Sequence, residues 1–253
     1  MRGALAKQRH LANAPITEAL IDLAVAPRPG LTFAQLKETV GSTVPGYYLK
    51  GPISQGTVAF QVSNDGMAPL ASSESQQIGI RLHSQDEKYV AQFRINGFTL
   101  SRLPPYEDWK NLEKEAERVW NIYLKCLTPS RISRVATRYI NNLRLPLEPG
   151  IAFQRYIEKL VDVPEEAPQS VTGFFQRLQL VDTASGAHVV LTLAMDTASP
   201  MNQAPVILDI DCSIRADLSP GDPKVWNILA SLRALKNRTF FGTLTERAAE
   251  LYQ

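Results

Sequence analysis

The sequence predicts an α+β fold in which antiparallel sheets carry helices packed on one face. In several consecutive segments, apolar residues alternate with polar ones, which is typical of half-buried strands. Short turns join many of these segments, so neighbouring strands are expected to pair antiparallel. Two long segments carry apolar residues at spacings of three and four, which is typical of helices that pack on a sheet.

The first predicted strand follows Pro15 in the stretch "NAPITEALIDLAV". Its alternating apolar residues share one face: Ala19, Ile21, Leu23 and Val25. The acids Glu18 and Asp22 fall on the opposite face, four residues apart. Because strands seldom carry acids in their interior, this pair either performs chemistry or holds two parts of the protein together.

The rest of the first half is predicted to be a series of strands between two helices. A short helix begins after Thr32, whose hydroxyl can cap it. Strands are expected at 57–63, 78–84, 88–96 and 97–103, with a polar loop at 64–77 and a hairpin turn at 84–87. The second helix, at 106–127, has the clearest helical period in the chain, with these residues on one face: Trp109, Leu112, Ala116, Val119, Tyr123 and Leu127.

The second half repeats this order of elements. A strand is predicted at 132–146, a short helix at 151–161, strands at 171–182, 187–195 and 204–218, a long helix from Pro223 and a last helical segment at 243–252. At an offset of 120 residues, Phe33 matches Phe153 and the Pro-Gly pair at 29–30 matches that at 149–150. One interpretation is a degenerate duplication of a β-α-β-β-β-α unit, with halves at 1–128 and 129–253 that could form one pseudo-symmetric domain. The alternative is that Pro-Gly recurs by chance before helices.

Composition excludes several classes of protein. With 44% hydrophobic and 21% charged residues among 253, the chain is an ordinary globular protein and not a disordered or fibrous one. Its net charge of +2 shows no concentration of basic residues, so nucleic acid is not indicated as a partner. No apolar run approaches the ~20 residues of a membrane span, and Pro15 and Glu18 interrupt any signal-peptide core, so no membrane association and a cytoplasmic location are expected.

Familiar catalytic motifs are missing from the sequence. It contains no GxxxxGK[ST], GxGxxG or GxSxG, which disfavours NTPases, dinucleotide oxidoreductases and common hydrolases. His10, His83 and His188 fall in unrelated elements, without the spacing of a zinc site. The two cysteines, Cys126 and Cys212, are expected to be small buried hydrophobic residues. No cofactor, catalytic residue or metal ligand is therefore assigned.

Two rows of polar residues in the second half need an explanation. Asp209 and Asp211 share one face of a predicted strand, and Arg134, Arg138 and Asn142 share one face of another. If these strands are neighbours, the rows form a cross-strand ladder of ion pairs worth ~0.2–1 kcal/mol each. Two other interpretations stay open: a divalent metal site completed by a third acid, and a pocket for an anion or another ligand.

The offset of 120 residues also bears on the two acids of the first strand. It sets Glu18 against Arg138 and Asp22 against Asn142. If the first strands of the two halves are adjacent, Glu18 is expected within salt-bridge distance of an arginine from the second half, with Arg138 the first candidate. The candidate structural or ligand-binding polar cluster is therefore Glu18, Asp22, Arg134, Arg138, Asn142, Asp209 and Asp211.

Three stretches of the chain carry a family resemblance: "LANAPITEALIDLAV" at 11–25, "TRYINNLRLP" at 137–146 and "LRALKNRTFFGTLTERAAEL" at 232–251. They resemble signatures of a sporadically distributed bacterial family of uncharacterised proteins of similar length, through NAPI-x-EA, TRYIN and K-N-x-x-F-F-x-x-x-T-E. The resemblance implies a scattered, horizontally moving cytosolic protein. It suggests an accessory role in a bacterial defence or toxin–antitoxin-like module.

The sequence thus favours a non-catalytic binding or regulatory protein of the cytosol whose partner is another protein. One alternative is a metal-dependent, nuclease-like enzyme that uses Asp209 and Asp211. The other is a receptor for a small ligand, with a pocket between the sheet and the long helices. In the closing stretch, Phe240 and Phe241 are expected to fill the core and not to form a ligand cage.

Overall fold

Nine antiparallel strands form one sheet in the computed structural model, which describes residues 4–40, 43–56, 60–63, 66–69, 75–146, 153–158, 163–164, 166–168, 171, 173–195 and 203–253. The strands are β1 Ile16–Ala26, β2 Tyr47–Gly56, β3 Phe60–Ser63, β4 Gly66–Pro69, β5 Ser75–Ser84, β6 Tyr89–Arg94, β7 Gly97–Arg102, β8 Arg131–Pro146, β9 Phe174–Val181, β10 His188–Met195 and β11 Gln203–Leu218. The helices are α1 Phe33–Val40, α2 Trp109–Leu127, α3 Lys224–Thr243 and α4 Glu246–Glu250. The sheet order is β2-β5-β6-β7-β1-β8-β11-β10-β9, and β3 and β4 form a separate hairpin.

The centre of the sheet is the antiparallel pair of β1 and β8, which joins the two predicted halves in one sheet. Outward from β1 lie β7, β6, β5 and β2, and outward from β8 lie β11, β10 and β9. A long helix follows the last strand of each group, α2 after β7 and α3 after β11. The predicted α+β class is confirmed.

Both long helices pack on the same face of the sheet. The buried residues of β1 define this helix face: Ala19, Ile21, Leu23 and Val25. Their cross-strand neighbours Phe98 and Tyr139 lie on it too. The ring of Phe98 lies 5.5 Å from that of Trp120 in α2, and Tyr139 lies beneath Lys236 of α3. The hydrophobic core therefore lies between the helix face and the two long helices.

Two helix starts follow the local signals in the sequence. At α1, the Thr32 hydroxyl accepts a hydrogen bond from the Gln35 backbone N–H at 3.3 Å, and the Gln35 side chain accepts one from the Thr32 N–H at 3.1 Å. This reciprocal pair is a capping box. At α2, the Asp108 carboxylate accepts from the Asn111 N–H at 2.7 Å, so this helix begins at Trp109, three residues later than predicted.

Two strands of the first half were not predicted. β2 contains Gly51 and Pro52, residues that are unfavourable in the interior of a sheet. The strand tolerates them because it lies at the sheet edge and its pairing with β5 shifts register next to Gly51. The second strand that was not predicted is β4. The prediction of a polar loop at 64–77 is wrong for the described residues, because β4 and the start of β5 lie there.

Two further predictions fall partly outside the described residues. Of the strand expected at 57–63, the described part is β3, and residues 57–59 lie outside. Of the helix expected at 151–161, the described residues 153–158 form a single 3-10 turn at Phe153–Arg155, followed by a bridge between Ile157 and Leu244. Across the described chain, no helix has both the length and the apolar character needed to cross a membrane.

Candidate functional site

A cavity of about 380 Å³ lies on the helix face, between α2 and α3. Its walls are the N-terminal segment 8–16, residues 106–109 where the chain enters α2, and the second half of α3 at 233–241, and its floor includes Tyr139 and Asn141 of β8. Small-molecule sites in proteins commonly occupy ~300–1,000 Å³ and lie at such junctions between elements. We call it the α2–α3 cavity.

Two tyrosine side chains meet where the floor of the α2–α3 cavity joins its wall. The hydroxyl of Tyr139 lies 3.1 Å from that of Tyr106, and the two rings meet edge to face. Burial raises the pKa of both phenols, so both keep their protons at neutral pH. Asn141 is fixed beside them, because its amide donates to the carbonyl oxygen of Leu208 at 2.9 Å.

Lys236 is the central charged group of the cavity. The residue is only 8% exposed, and its Nζ lies 3.8 Å from the centroid of the Tyr139 ring. Within the described chain, no carboxylate lies within 4.0 Å of this amine. Burial, and then the charge of Arg233, lower the pKa of Lys236 to about 7. A buried amine without a counter-ion is unusual, because desolvation of its charge is costly.

Arg233 adds a second positive charge one turn earlier on α3. Its guanidinium stacks over Trp109, 5.7 Å from the ring centroid, and its side chain is exposed at the rim of the cavity. In the described part of the chain, no acid lies within 4.0 Å of it. Residues three apart on a helix are neighbours, so Arg233 and Lys236 present their charges side by side.

The acids at the cavity wall have other partners. Glu107 accepts hydrogen bonds from Arg102 at 2.8 Å and from the Asn111 side chain at 3.1 Å. Asp108 caps α2. Because these carboxylates bind groups of their own surroundings, the charge that the cavity offers to a ligand is positive.

The N-terminal wall is held in place by the end of the chain. The Ala6 N–H donates to the carbonyl oxygen of Leu244 at 3.1 Å, and the Asn13 N–H to that of Tyr252 at 3.0 Å. Arg9 forms an ion pair with Glu246 at 2.7 Å. These contacts fix the segment over the cavity, so the wall is part of the folded structure.

A pocket between the sheet and the long helices was one of the alternatives that the sequence left open, but the residues that line it, apart from Phe240 and Phe241, were not singled out. A signal was present in α3, where the inward positions recur every three or four residues: Val225, Leu229, Leu232, Lys236 and Phe240. A lysine in such a series marks a cation on an inner helix face. Phe240 and Phe241 are buried, as predicted, and their rings meet edge to face at 5.2 Å. Both also line the cavity.

The three stretches that carry the family resemblance meet at the α2–α3 cavity. The first contributes Leu11 and residues 14–16, and the second contributes Tyr139 and Asn141. The third contributes Arg233, Lys236, Asn237, Phe240 and Phe241. Segments that lie far apart in the sequence therefore form one site.

The predicted polar cluster lies on the opposite face of the sheet. There, Asp22 accepts hydrogen bonds from Arg94 at 2.6 Å, from Thr99 at 2.7 Å and from Arg134 at 3.1 Å. Arg134 comes from the second half of the chain and Arg94 from the first. Asp22 thus connects the two halves across the centre of the sheet.

The two aspartates of β11 pair with arginines of β8. Arg138 donates to Asp209 from two nitrogens, at 2.8 and 2.6 Å, and this contact raises the pKa of the guanidinium. Arg134 lies 3.3 Å from Asp211, whose pKa is raised by burial. Because guanidinium groups occupy the lone pairs of these carboxylates, the geometry favours an ion-pair ladder over a cation site. No group of three or more His, Cys, Asp or Glu side chains able to hold a metal ion occurs among the described residues.

The predicted ion pair between Glu18 and Arg138 is wrong. Within the described chain, no arginine lies within 4.0 Å of Glu18. In the antiparallel register Arg138 stands opposite Leu20, and Glu18 opposite Ile140, so Glu18 and Arg138 do not face each other although they match at the offset of 120. Asn142 likewise lies away from Asp22, and its Oδ1 is buried with no hydrogen-bond partner in the described part of the chain.

Comparison with models of known protein families and with curated proteins finds no match for this chain.

Proposed function

We propose that the protein is a receptor for a small organic anion, which binds in the α2–α3 cavity. The observation that carries the proposal is the buried amine of Lys236, which has no counter-ion among the described residues and lies beside Arg233. Removing an ammonium group from water without a partner costs several kcal/mol. A carboxylate or phosphate in the cavity offsets that cost through charge-assisted hydrogen bonds.

The remaining walls indicate the body of the ligand. Trp109, Tyr106 and Phe240 present aromatic surface to the cavity, and its volume of about 380 Å³ suits a small molecule. Aromatic walls bind planar or apolar groups through burial and ring contacts. The ligand class that fits both features is a single-ring or short aliphatic compound with one anionic group.

The protein acts in the cytoplasm as a non-catalytic regulatory component, and ligand occupancy controls its contact with a partner protein. Support for an accessory role in a bacterial defence or toxin–antitoxin-like module comes from the family resemblance. All three stretches that carry the resemblance contribute residues to the cavity, which links the resemblance to ligand binding.

The two halves derive from duplication of a β-α-β-β-β-α unit. Two observations support this origin. From the central pair outward, β7, β6 and β5 follow β1 in the order in which β11, β10 and β9 follow β8. Ala19 and Tyr139, which are 120 residues apart, stand directly opposite each other, as expected on a pseudo-two-fold axis. Tyr139 also forms the floor of the cavity, so the ligand site lies at the junction of the repeats.

Calorimetric titration with matched ligands tests the receptor function. Benzoate, phenylpyruvate and phenyl phosphate supply anionic groups, and benzamide is the neutral counterpart. At least one anion is expected to bind more tightly than benzamide by about tenfold or more, since a charge-assisted hydrogen bond contributes ~1.5–3 kcal/mol.

Variants locate the binding. Arg233→Met and Lys236→Met are each expected to weaken anion binding by about tenfold or more. Arg215→Met, an exposed arginine on the opposite face, is the matched control and should bind as the wild type does. The proposal fails if every anion binds no better than benzamide, or if all three variants bind equally well.

A further inference from the structure

We infer that Lys236 is a nucleophile that forms a reversible imine with a carbonyl compound carrying an anionic group, such as a 2-oxo acid or a carboxylated aldehyde. The inference rests on the proposed function, because the anionic group must first bind beside Arg233. It assigns a covalent step to a cavity that otherwise only holds a ligand.

The position of the amine favours attack on a bound carbonyl carbon. Lys236 lines the cavity with its Nζ 3.8 Å above the Tyr139 ring, and within the described chain no acid holds it as an ion pair. An amine held by a carboxylate stays protonated and cannot attack. Aromatic rings line part of the cavity, among them Tyr106, Trp109 and Phe240, and such apolar surfaces reduce the hydration of a bound carbonyl compound, which favours the condensed imine over its hydrolysis.

The protonation state of Lys236 also supports imine formation. With a pKa lowered to about 7, roughly half of the Lys236 side chains are neutral at pH 7. For an ordinary lysine the neutral fraction is smaller by on the order of a thousandfold. Burial together with a neighbouring cation, here Arg233, is a recognised way to activate a lysine for imine formation.

Arg233 provides the second contact for the same molecule. It lies one helical turn before Lys236 and is free of acids in the described structure, so its guanidinium can bind a carboxylate with two hydrogen bonds. A carboxylate at Arg233 places the rest of a small ligand over Lys236. Ligands with both a carbonyl and an anionic group are therefore preferred to simple aldehydes and ketones.

The reaction balances without an oxidant or reductant. The lone pair of the Lys236 nitrogen forms a C–N bond with the carbonyl carbon, and the carbonyl π electrons move to oxygen, which gains a proton. The nitrogen then loses its protons, the C–O bond breaks and one water leaves as the C=N bond forms. The Tyr106 and Tyr139 hydroxyls, 3.1 Å apart and protonated at neutral pH, are placed at the cavity floor to pass protons to the departing oxygen.

Reductive trapping tests the inference on the whole protein. The chain is incubated at pH 7 with 4-formylbenzoate and sodium cyanoborohydride, and mass spectrometry of its peptides locates the secondary amine. Lys236 is expected to be modified at least about tenfold faster than Lys224, an exposed lysine of the same helix, because more of it is neutral. Benzoate should slow the trapping by competition, and neutral benzaldehyde should be trapped more slowly.

The outcomes separate the imine from anion binding. Lys236→Arg keeps a charge but cannot form an imine, so it should lose trapping at this position, while benzoate binding is measured on the wild type. Equal modification of Lys224 and Lys236 in the wild type, or equal trapping of benzaldehyde and 4-formylbenzoate, overturns the inference. If the wild type binds benzoate and Lys236 is not modified, the imine fails and the receptor function stands. If no anion binds at all, the receptor function fails and the inference falls with it.

Discussion

Replacing Lys236 with methionine should stabilise the protein, and the gain should depend on pH. The folded state lowers the pKa of this amine from 10.5 to about 7, mainly through burial. Between these values the unfolded chain binds a proton that the native state does not, so wild-type stability rises with pH through this window. At 1.36 kcal/mol per unit of pKa, the full penalty is about 5 kcal/mol.

Urea unfolding followed by circular dichroism measures this penalty. At pH 6 the Lys236→Met variant should exceed the wild type in unfolding free energy by about 4–5 kcal/mol, and at pH 9 by about 2 kcal/mol. The exposed Lys224→Met variant should follow the wild type at every pH. If the unfolding free energies of wild type and Lys236→Met run parallel from pH 6 to pH 9, the claim that burial lowers the pKa of Lys236 is refuted.

Further substitutions test the sheet. Asp22→Asn should lower the unfolding free energy by about 1–3 kcal/mol, because the carboxylate binds two arginines, and Glu18→Gln, which breaks no ion pair in the described chain, should change it by less than about 0.5 kcal/mol. Equal losses in urea unfolding would contradict this contrast. Gly79→Ala should cost about 1–3 kcal/mol, because a Cβ would lie 2.5 Å from a backbone oxygen of β6. Gly242→Ala should raise the melting temperature slightly, because the added Cβ would meet no described atom within 4 Å outside its own stretch of helix, and a decrease would contradict the packing described.

Local patterns in the sequence were sufficient to identify much of the fold. In β1 and α2, apolar residues recur with the period of a strand and of a helix, and the structure buries the residues at those positions. The edge strand β2 was missed because Gly51 and Pro52 contradict strand propensity. Its place in the sheet depends on pairing with β5, a tertiary contact that local sequence does not encode.

The polar cluster shows what alternation in a strand can and cannot predict. The alternation of side chains along each strand predicted that Asp22, Arg134 and Asp209 lie on the polar face of the sheet. The structure places them on that face, opposite the helix face. This alternation does not determine the register between strands, and the register decides that Arg138 binds Asp209 and not Glu18.

The α2–α3 cavity could not be assembled from sequence alone. Its walls come from the N-terminal segment 8–16, the start of α2 and the second half of α3, and its floor comes from β8. Only the folded sheet brings these segments together. Within α3, the inward spacing of Lys236 was the one local sign of a site.

An NMR titration of the Lys236 side chain, with and without benzoate, tests the central claim most directly. In the free protein we predict a midpoint at about 7. When benzoate saturates the cavity, we predict that the midpoint moves up toward the 10.5 of an ordinary lysine, because the bound carboxylate stabilises the ammonium. A midpoint near 10.5 in the free protein, or one that benzoate does not move, would contradict anion binding at Lys236.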